Sequence, residues 1–149
     1  MISKKKILVV QKIHDEGLKL IENNSNYDFE LIENINSEIL KEKIVDCDGL
    51  SIKTAKLPGE IISCAKKLKI ISRHGVGLDN IDLKKAKEKN ITIAITTKAN
   101  AVTVAEHVFF LLLSICKGMN MYDTAVKTGN FKDRYTLPKT TELWNKNIL

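Results

Sequence analysis

The chain has 149 residues, of which 44% are hydrophobic and 28% charged, and its formal net charge is +6. This length supports a domain with its own hydrophobic core, and the composition excludes a disordered or fibrous chain. The positive charge comes mainly from lysines that are interleaved with acids and lack neighbouring aromatic residues, so we expect no nucleic-acid binding.

Cysteine usage and the apolar runs predict a cytoplasmic protein. Cys47, Cys64 and Cys116 are far apart and never in C-x-x-C spacing, which argues against a disulfide framework and against a metal site. No run reaches the ~20 apolar residues of a membrane span. The apolar run that follows the basic amino end, residues 7–10, is too short for a signal peptide.

Strand and helix patterns alternate from residue 7 to residue 95. Continuous aliphatic runs predict strands that are buried on both faces, and amphipathic segments predict helices between them. Asn36 and Asp82 are expected to cap the second and fourth helices, and Asn90 to adopt a left-handed conformation where the fourth helix ends. The predicted strands cover residues 7–10, 29–32, 50–52, 70–71 and 91–95.

This alternation predicts a flavodoxin-like, doubly wound α/β domain, because right-handed crossovers force a mostly parallel sheet covered by helices. Ligands bind beyond the carboxyl ends of the strands in such sheets. Three loops leave those ends, at residues 53–55, 73–78 and 96–100, and we expect them to meet at one cleft.

A different pattern follows residue 100. Residues 102–116 predict a long helix that is apolar almost all round, and such a helix must be buried on more than one side. We therefore expect self-association through this helix, or fraying of the chain after about Asn100. An amphipathic segment follows Gly118, and residues 131–140 are expected to form an exposed loop.

The segment 72–82, SRHGVGLDNID, carries the strongest ligand signal. Two glycines separated by one residue follow a strand end. Glycine permits a positive φ and close approach of a ligand, and successive N–H groups in such a turn form an anion site. The loop therefore predicts that main-chain N–H groups hold a small carboxylate, and a side chain at Gly77 is expected to penalise a positive φ and to block the anion.

Two alternatives remain for this segment on spacing alone. One is a plain tight turn between strand and helix. The other is the dinucleotide fingerprint G-x-G-x-x-G, but its third glycine is replaced by Asn80, and the strand at residues 91–95 carries no acid for a ribose hydroxyl.

Residues 72–86 resemble the substrate loop of the D-isomer-specific 2-hydroxyacid dehydrogenases, which include phosphoglycerate-type members. Residues 96–107, TTKANAVTVAEH, are similar to the family's "TP-x-x-N-x-x-S/T-V-A-E" segment, and the two blocks have the family's order and spacing. The resemblance implies a flavodoxin-like fold, NAD as cofactor, a small 2-hydroxy or 2-keto acid as substrate, and a homodimer.

By motif position, the resemblance also implies four substrate-binding residues. The N–H groups of Val76 and Gly77 would hold the carboxylate, and Asn100 would contact the substrate or the carboxamide end of the cofactor. Lys53 stands where phosphoglycerate-type members have an arginine that faces the acidic end of the substrate. Lysine keeps that charge but lacks the bidentate fork of arginine.

The cofactor side is represented only in part. Thr103 and Val104 would lie against the nicotinamide, and residues 142–149 resemble the family's lead-in to its nucleotide-binding fingerprint. We therefore expect a substrate-binding domain over residues 1–99, the start of an incomplete Rossmann-type NAD-binding domain over residues 100–149, and truncation before the fingerprint. The family's catalytic arginine, glutamate and histidine lie beyond this point, so we assign no catalytic residue.

The leading hypothesis is thus the substrate-binding portion of an NAD(P)-dependent D-2-hydroxyacid dehydrogenase, inactive as this chain alone. The alternative is a non-catalytic flavodoxin-like module that binds a carboxylate or a partner. A receiver-type signalling domain is disfavoured, because the first strand ends without the acidic cluster of a phospho-acceptor site.

Overall fold

In the computed structural model, which describes residues 4–148, the chain divides into two compact units, Met1–Thr97 and Lys98–Leu149. Strands and helices alternate in the first unit, and the second unit is helical. The strands are β1 (Lys5–Val10), β2 (Tyr27–Ile32), β3 (Gly49–Ile52), β4 (Ile70–Arg73) and β5 (Thr92–Ile95). The helices are α1 (Asp15–Glu22), α2 (Ser37–Lys43), α3 (Gly59–Cys64), α4 (Leu83–Glu88), α5 (Ala101–Cys116) and α6 (Met119–Lys127).

The five strands of the first unit form one parallel sheet in the order β2-β1-β3-β4-β5. This is the flavodoxin-like order, so the predicted fold class is confirmed. The chain steps from β1 outward to β2 and then returns to the other side of β1 for β3. The strand order therefore reverses between β1 and β3, and ligands of such sheets bind at the carboxyl ends flanking this reversal.

The hydrophobic core lies on one face of the sheet. Leu8, Leu50 and Ile71 stand side by side in register on β1, β3 and β4, and each is at most 2% exposed. Side chains of α2, α3 and α4 complete this cluster, including Leu40, Ile61 and Ala86. Burial of this kind stabilises the unit by roughly 1.5–3 kcal/mol for each large apolar side chain, and it holds the strand ends in fixed register.

The opposite face is less completely covered. On this face β3 presents Gly49, which is buried, and Ser51, which is partly buried. The neighbouring strand β4 presents Ile70 and Ser72, which are both exposed. A groove of about 530 Å³ runs over these residues, and Ile13 and Ile21 from the region of α1 line its other side. Small side chains on β3 and β4 are what leave this space open.

Local capping residues set the ends of the helices as predicted. The Asn36 side chain accepts a hydrogen bond from the Glu38 N–H (2.9 Å), and the Asp82 side chain accepts one from the Lys85 N–H (2.9 Å). Asn90 has φ 55°, in the left-handed region. These three predictions are confirmed. They could be made from the sequence because each feature depends only on a side chain and its neighbouring backbone.

Cys47 lies at the edge of the core, between α2 and β3. Its side chain is fully buried, and its Sγ donates a weak hydrogen bond to the Ile44 carbonyl at 3.4 Å. Burial disfavours the charged thiolate and raises the pKa of the Cys47 thiol to about 11. Cys64 and Cys116 are free thiols that are only partly buried.

Glu30 on β2 is held between two lysines, at 2.7 Å from Lys43 and 3.3 Å from Lys6. The hydrogen bond from Lys43, followed by that from Lys6, lowers the pKa of the Glu30 carboxyl below its ordinary 4.5. A carboxyl whose pKa is lowered on folding stabilises the folded state above its unfolded pKa. That contribution is lost as the pH falls through the folded pKa.

We expect Glu30→Gln to lower the free energy of unfolding near neutral pH by up to about 1 kcal/mol, the size of a partly exposed ion pair. Glutamine does not titrate, so the variant should also lose less stability than the native chain between pH 5 and pH 3. Urea unfolding at pH 7, 5 and 3 measures both effects. Parallel pH curves for the two proteins would contradict this assignment.

The second unit is built on α5 and α6. The expectation that α5 is buried on more than one side is wrong for this structure, because no residue of α5 is buried. Its exposed residues include Phe109 (56%), Phe110 (53%) and Leu113 (45%). Gly118, with φ 59°, separates the two helices. The Thr141 N–H donates to the Cys116 carbonyl at 2.7 Å and brings the later chain back to the end of α5.

Two further features of this unit bear on the predictions. Where an exposed loop was predicted, Phe131–Tyr135 forms a short 3-10 helix whose residues are largely exposed. Within residues 4–148, no single helix is long and apolar enough to cross a membrane; α5 and α6 together meet the length and composition criteria, but they are bent by 67° at their junction.

Candidate functional site

The reversal between β1 and β3 is bridged by a side chain. Gln11, the residue after β1, has φ 72° and donates its backbone N–H to the Ile32 carbonyl at 2.8 Å. Its Oε1 accepts hydrogen bonds from the backbone N–H groups of Thr54 (2.6 Å) and Ala55 (2.9 Å). The loop after β3 is thereby attached to the end of β1, at the position where ligands bind in this class of sheet.

The loop after β4 lies next to it. The His74 N–H donates to the Ile52 carbonyl at 2.8 Å, and the Thr96 N–H donates to the Gly75 carbonyl at 3.1 Å. These bonds tie the loop to the ends of β3 and β5. Among residues 4–148, the N–H groups of Val76 and Gly77 donate to no protein acceptor. Two successive N–H groups without an internal acceptor are available to hydrogen-bond an anion.

The Arg73 side chain packs against this loop and hydrogen-bonds to its backbone. Its Nη1 donates to the His74 carbonyl at 3.0 Å, and its Nε is buried with no hydrogen-bond partner among the described residues. A Cβ at Gly75 would overlap the Arg73 Nη1, and Gly75 has φ 148°. Gly75 is therefore needed both for its backbone conformation and for the space that the guanidinium fills.

The expectation that Gly77 has a positive φ is wrong. Positive φ values occur at Gly75, Gly118 and Gly129 in the described chain, and not at Gly77. The positive φ lies two residues earlier, at Gly75, where the Arg73 guanidinium packs against the glycine. A Cβ at Gly77 would approach the Asp79 Oδ1 to 3.0 Å, which is a contact with a flexible side chain.

Asn80 connects the two loops. Its Nδ2 donates to the Ala55 carbonyl at 2.7 Å and, more weakly, to the Lys53 carbonyl at 3.4 Å. Its backbone carbonyl accepts the Leu57 N–H at 2.7 Å. The Asn80 Oδ1 is buried and has no partner within residues 4–148. The loop at residues 53–55 is consequently held from both sides, by Gln11 and by Asn80.

Lys53, Val76 and Gly77 therefore lie in neighbouring loops at one edge of the sheet, and all three are exposed. Lys53 has no carboxylate partner in the described part of the chain. Residues 4–148 contain no group of three or more His, Cys, Asp or Glu side chains that could hold a metal. The arrangement offers an ammonium group and free N–H donors, which are suited to an anion.

The other three candidate residues belong to the second unit. Asn100 stands at the N-cap position of α5, but its side chain makes no capping hydrogen bond. Thr103 and Val104 lie in the first turn of α5 and are exposed, Val104 by 51%. Capping therefore does not account for the Asn100 amide, which is exposed.

Sequence reasoning missed the roles of Gln11 and Asn80. The signal for Gln11 was its place directly after a buried strand, where a polar residue reaches the carboxyl edge of the sheet. Asn80 was considered only as the residue that breaks a glycine fingerprint. Its contacts with residues 53–55 span more than 20 positions, and no local pattern predicts such a contact.

Comparison with known proteins identifies the family. The model for "D-isomer specific 2-hydroxyacid dehydrogenase, catalytic domain" matches residues 7–142. A D-3-phosphoglycerate dehydrogenase from Methanocaldococcus jannaschii is 34% identical over 96% of this chain, and a hydroxypyruvate reductase from Thermotoga maritima is 36% identical over 78% of it.

A solved structure agrees with these matches. The NAD⁺-bound 3-phosphoglycerate dehydrogenase of Entamoeba histolytica matches 95% of this chain at 26% identity, with a TM-score of 0.68. The chain spans 27% of the Methanocaldococcus protein, 38% of the Thermotoga protein and 44% of the Entamoeba chain. It thus spans less than half the length of each.

Proposed function

We propose a function from one established premise: the chain belongs to the D-isomer specific 2-hydroxyacid dehydrogenase family. The function we propose is the substrate-binding part of an NAD(P)-dependent D-2-hydroxyacid dehydrogenase, which transfers hydride between a 2-hydroxy or 2-keto acid and nicotinamide. Residues 1–99 would form the substrate-binding domain, and residues 100–149 would begin the cofactor-binding domain.

The observation that carries this proposal is the pair of free N–H groups at Val76 and Gly77. A carboxylate accepts hydrogen bonds from both, and charge assistance makes such bonds about twice as strong as neutral ones. The Arg73 guanidinium, packed against Gly75, adds positive charge beside the same turn. These groups bind and orient the acid end of the substrate, and positioning of this kind is the contribution a substrate domain makes to hydride transfer.

Lys53 is proposed to meet the far end of the substrate. An exposed ammonium group without a carboxylate partner suits a second anionic group, such as the phosphate of 3-phosphoglycerate. It lacks the planar fork with which arginine grips phosphate in two bonds. A preference for phosphorylated acids would therefore be weaker than an arginine at this position would give.

The cofactor would be NAD, held here only at its nicotinamide end. The open amide of Asn100 would contact the carboxamide end of the cofactor or the substrate, and Thr103 and Val104 would lie beside the ring. NAD supplies the hydride acceptor when bound. The 149 residues contain no G-x-G-x-x-G segment to hold the pyrophosphate, so we expect this chain alone to bind NAD too weakly for calorimetry and to show no turnover.

Two further assignments complete the proposal. The exposed apolar surface of α5 supports a homodimer. The three free thiols support a reducing, cytoplasmic location. A carboxylate-binding module without catalysis is the second candidate, because the free N–H groups of Val76 and Gly77 would serve that function equally well. Measurable turnover after addition of a complementary cofactor domain would exclude it.

The carboxylate site is tested by titrating ¹⁵N-labelled chain with D-glycerate and following the amide resonances. We expect the largest shifts at Val76 and Gly77. Gly77→Val should weaken binding roughly tenfold or more, the value of a lost hydrogen bond to a charged group, because its side chain would cover the donors. Glycerol, which lacks the carboxylate, is the control ligand. Shifts centred elsewhere, or equal shifts with glycerol, would refute this site.

A further inference from the structure

We propose that Gln11 and Asn80 are positioning residues of this site: their side-chain amides hold the loop at residues 53–55 between them and so fix the place of Lys53. The inference rests on the proposed function, because it concerns the acid bound there. The selection between plain and phosphorylated 2-hydroxy acids would then depend on Gln11 and Asn80, two residues that need not touch the ligand.

Gln11 supplies the first half of this arrangement. Its φ of 72° is a conformation that side chains with a branched or long Cβ substituent rarely adopt, and such residues cluster at functional sites. The conformation aims its amide at Thr54, where Nε2 donates to the Oγ1 at 2.9 Å while Oε1 accepts two backbone N–H groups. Those two N–H groups are occupied by the protein itself and are closed to a ligand.

Asn80 supplies the second half with the complementary chemistry. Its Nδ2 donates to the carbonyls of Ala55 and Lys53, so the same short loop has its N–H groups satisfied by one amide and its carbonyls by another. Asn80 also belongs to the loop that carries Val76 and Gly77. Its hydrogen bonds therefore fix the distance between Lys53 and the carboxylate donors.

The consequence is that Lys53 would select ligands by the distance between their two anionic groups. With both amides in place, the Lys53 backbone is held at a set position relative to the carboxylate site. The residue carries an ammonium group that no carboxylate in residues 4–148 neutralises. An acid that carries a second anionic group at the matching distance gains from Lys53, and an acid without that group gains nothing from it.

The experiment compares the affinities of D-glycerate and 3-phospho-D-glycerate for the full 149-residue chain. Lys53→Met should lower the preference for the phosphorylated acid roughly fivefold, the size of an exposed ion pair. Gln11→Gly and Asn80→Ala should lower the same ratio to a similar degree. Glycine at position 11 accepts a positive φ, so this variant removes the side-chain amide without adding backbone strain. Gln11→Gly should have no further effect on the ratio in the Lys53→Met background.

Lys56→Met is the matched control, because it removes one exposed lysine three positions away and should leave the ratio unchanged. If Lys53→Met lowers the ratio but Gln11→Gly and Asn80→Ala do not, the positioning role is overturned. An unchanged ratio in Lys53→Met overturns it as well. If D-glycerate shifts no resonance of Val76 or Gly77 in the native chain, the proposed function itself fails, and this inference fails with it.

Discussion

Replacing Phe110 and Leu113 together with serine is expected to convert a self-associating chain into a monomer. Both side chains are about half exposed on α5, and no residue of that helix is buried. Leaving such side chains in water forgoes roughly 1.5–3 kcal/mol each, whereas the whole stability of a small domain is about 5–15 kcal/mol. Association that covers this surface would recover that free energy, so we expect the native chain to self-associate.

Light scattering after size exclusion measures the effect as a change in mass. Leu20→Ser is the matched control: Leu20 is 77% exposed on α1, whereas the other large apolar residues of that helix, Leu18 and Ile21, are buried or partly buried, so its replacement should leave the mass unchanged. The far-ultraviolet circular dichroism of the double variant should still show the folded sheet unit. A native chain that is a compact monomer, with slow hydrogen exchange throughout α5, would contradict the expectation.

The second large effect is expected at Gly75. Alanine there must adopt a φ near 148° and would displace the Arg73 guanidinium, so we expect a loss of up to about 3 kcal/mol in the free energy of unfolding. The damage should extend to the ligand site, because Val76 and Gly77 follow directly. The D-glycerate-induced shifts at these two amides should be lost in Gly75→Ala.

Gly129→Ala provides the comparison. Gly129 has φ 74°, and nothing lies within 4 Å of where its Cβ would stand, so alanine should cost only about 1 kcal/mol of backbone strain. Adding Arg73→Ala to Gly75→Ala should restore part of the stability by removing the collision. Equal losses at the two glycines, with no recovery in the double variant, would show that Arg73 does not constrain the turn. Chemical denaturation measures all three variants.

The features that were predictable from the sequence are those that depend on neighbouring residues. The caps at Asn36 and Asp82 and the left-handed Asn90 follow from local side-chain chemistry. The flavodoxin-like sheet follows from the alternation of aliphatic runs with amphipathic segments. The apolar surface of α5 was visible in the sequence because residues 102–116 leave no polar face.

The features that were not predictable depend on residues distant in sequence. Gln11 meets Thr54 across 43 positions, and Asn80 meets Ala55 across 25. The glycine turn was placed correctly, but the positive φ was assigned to Gly77. The glycine that needs it is Gly75, because only the fold reveals that the Arg73 guanidinium turns back onto that residue.

Cys47 and Cys116 differ in burial, and their rates of alkylation can therefore be used to follow local unfolding. At mildly alkaline pH, Cys47 is shielded by burial and by a thiol pKa of about 11, so an alkylating reagent reaches it only when the sheet unit opens. Cys116 ends α5 in the other unit and is partly accessible. The labelling rate of Cys47, followed through a denaturant series, therefore reports the opening of the sheet unit, and Cys116 serves as the reference thiol that reacts without such opening.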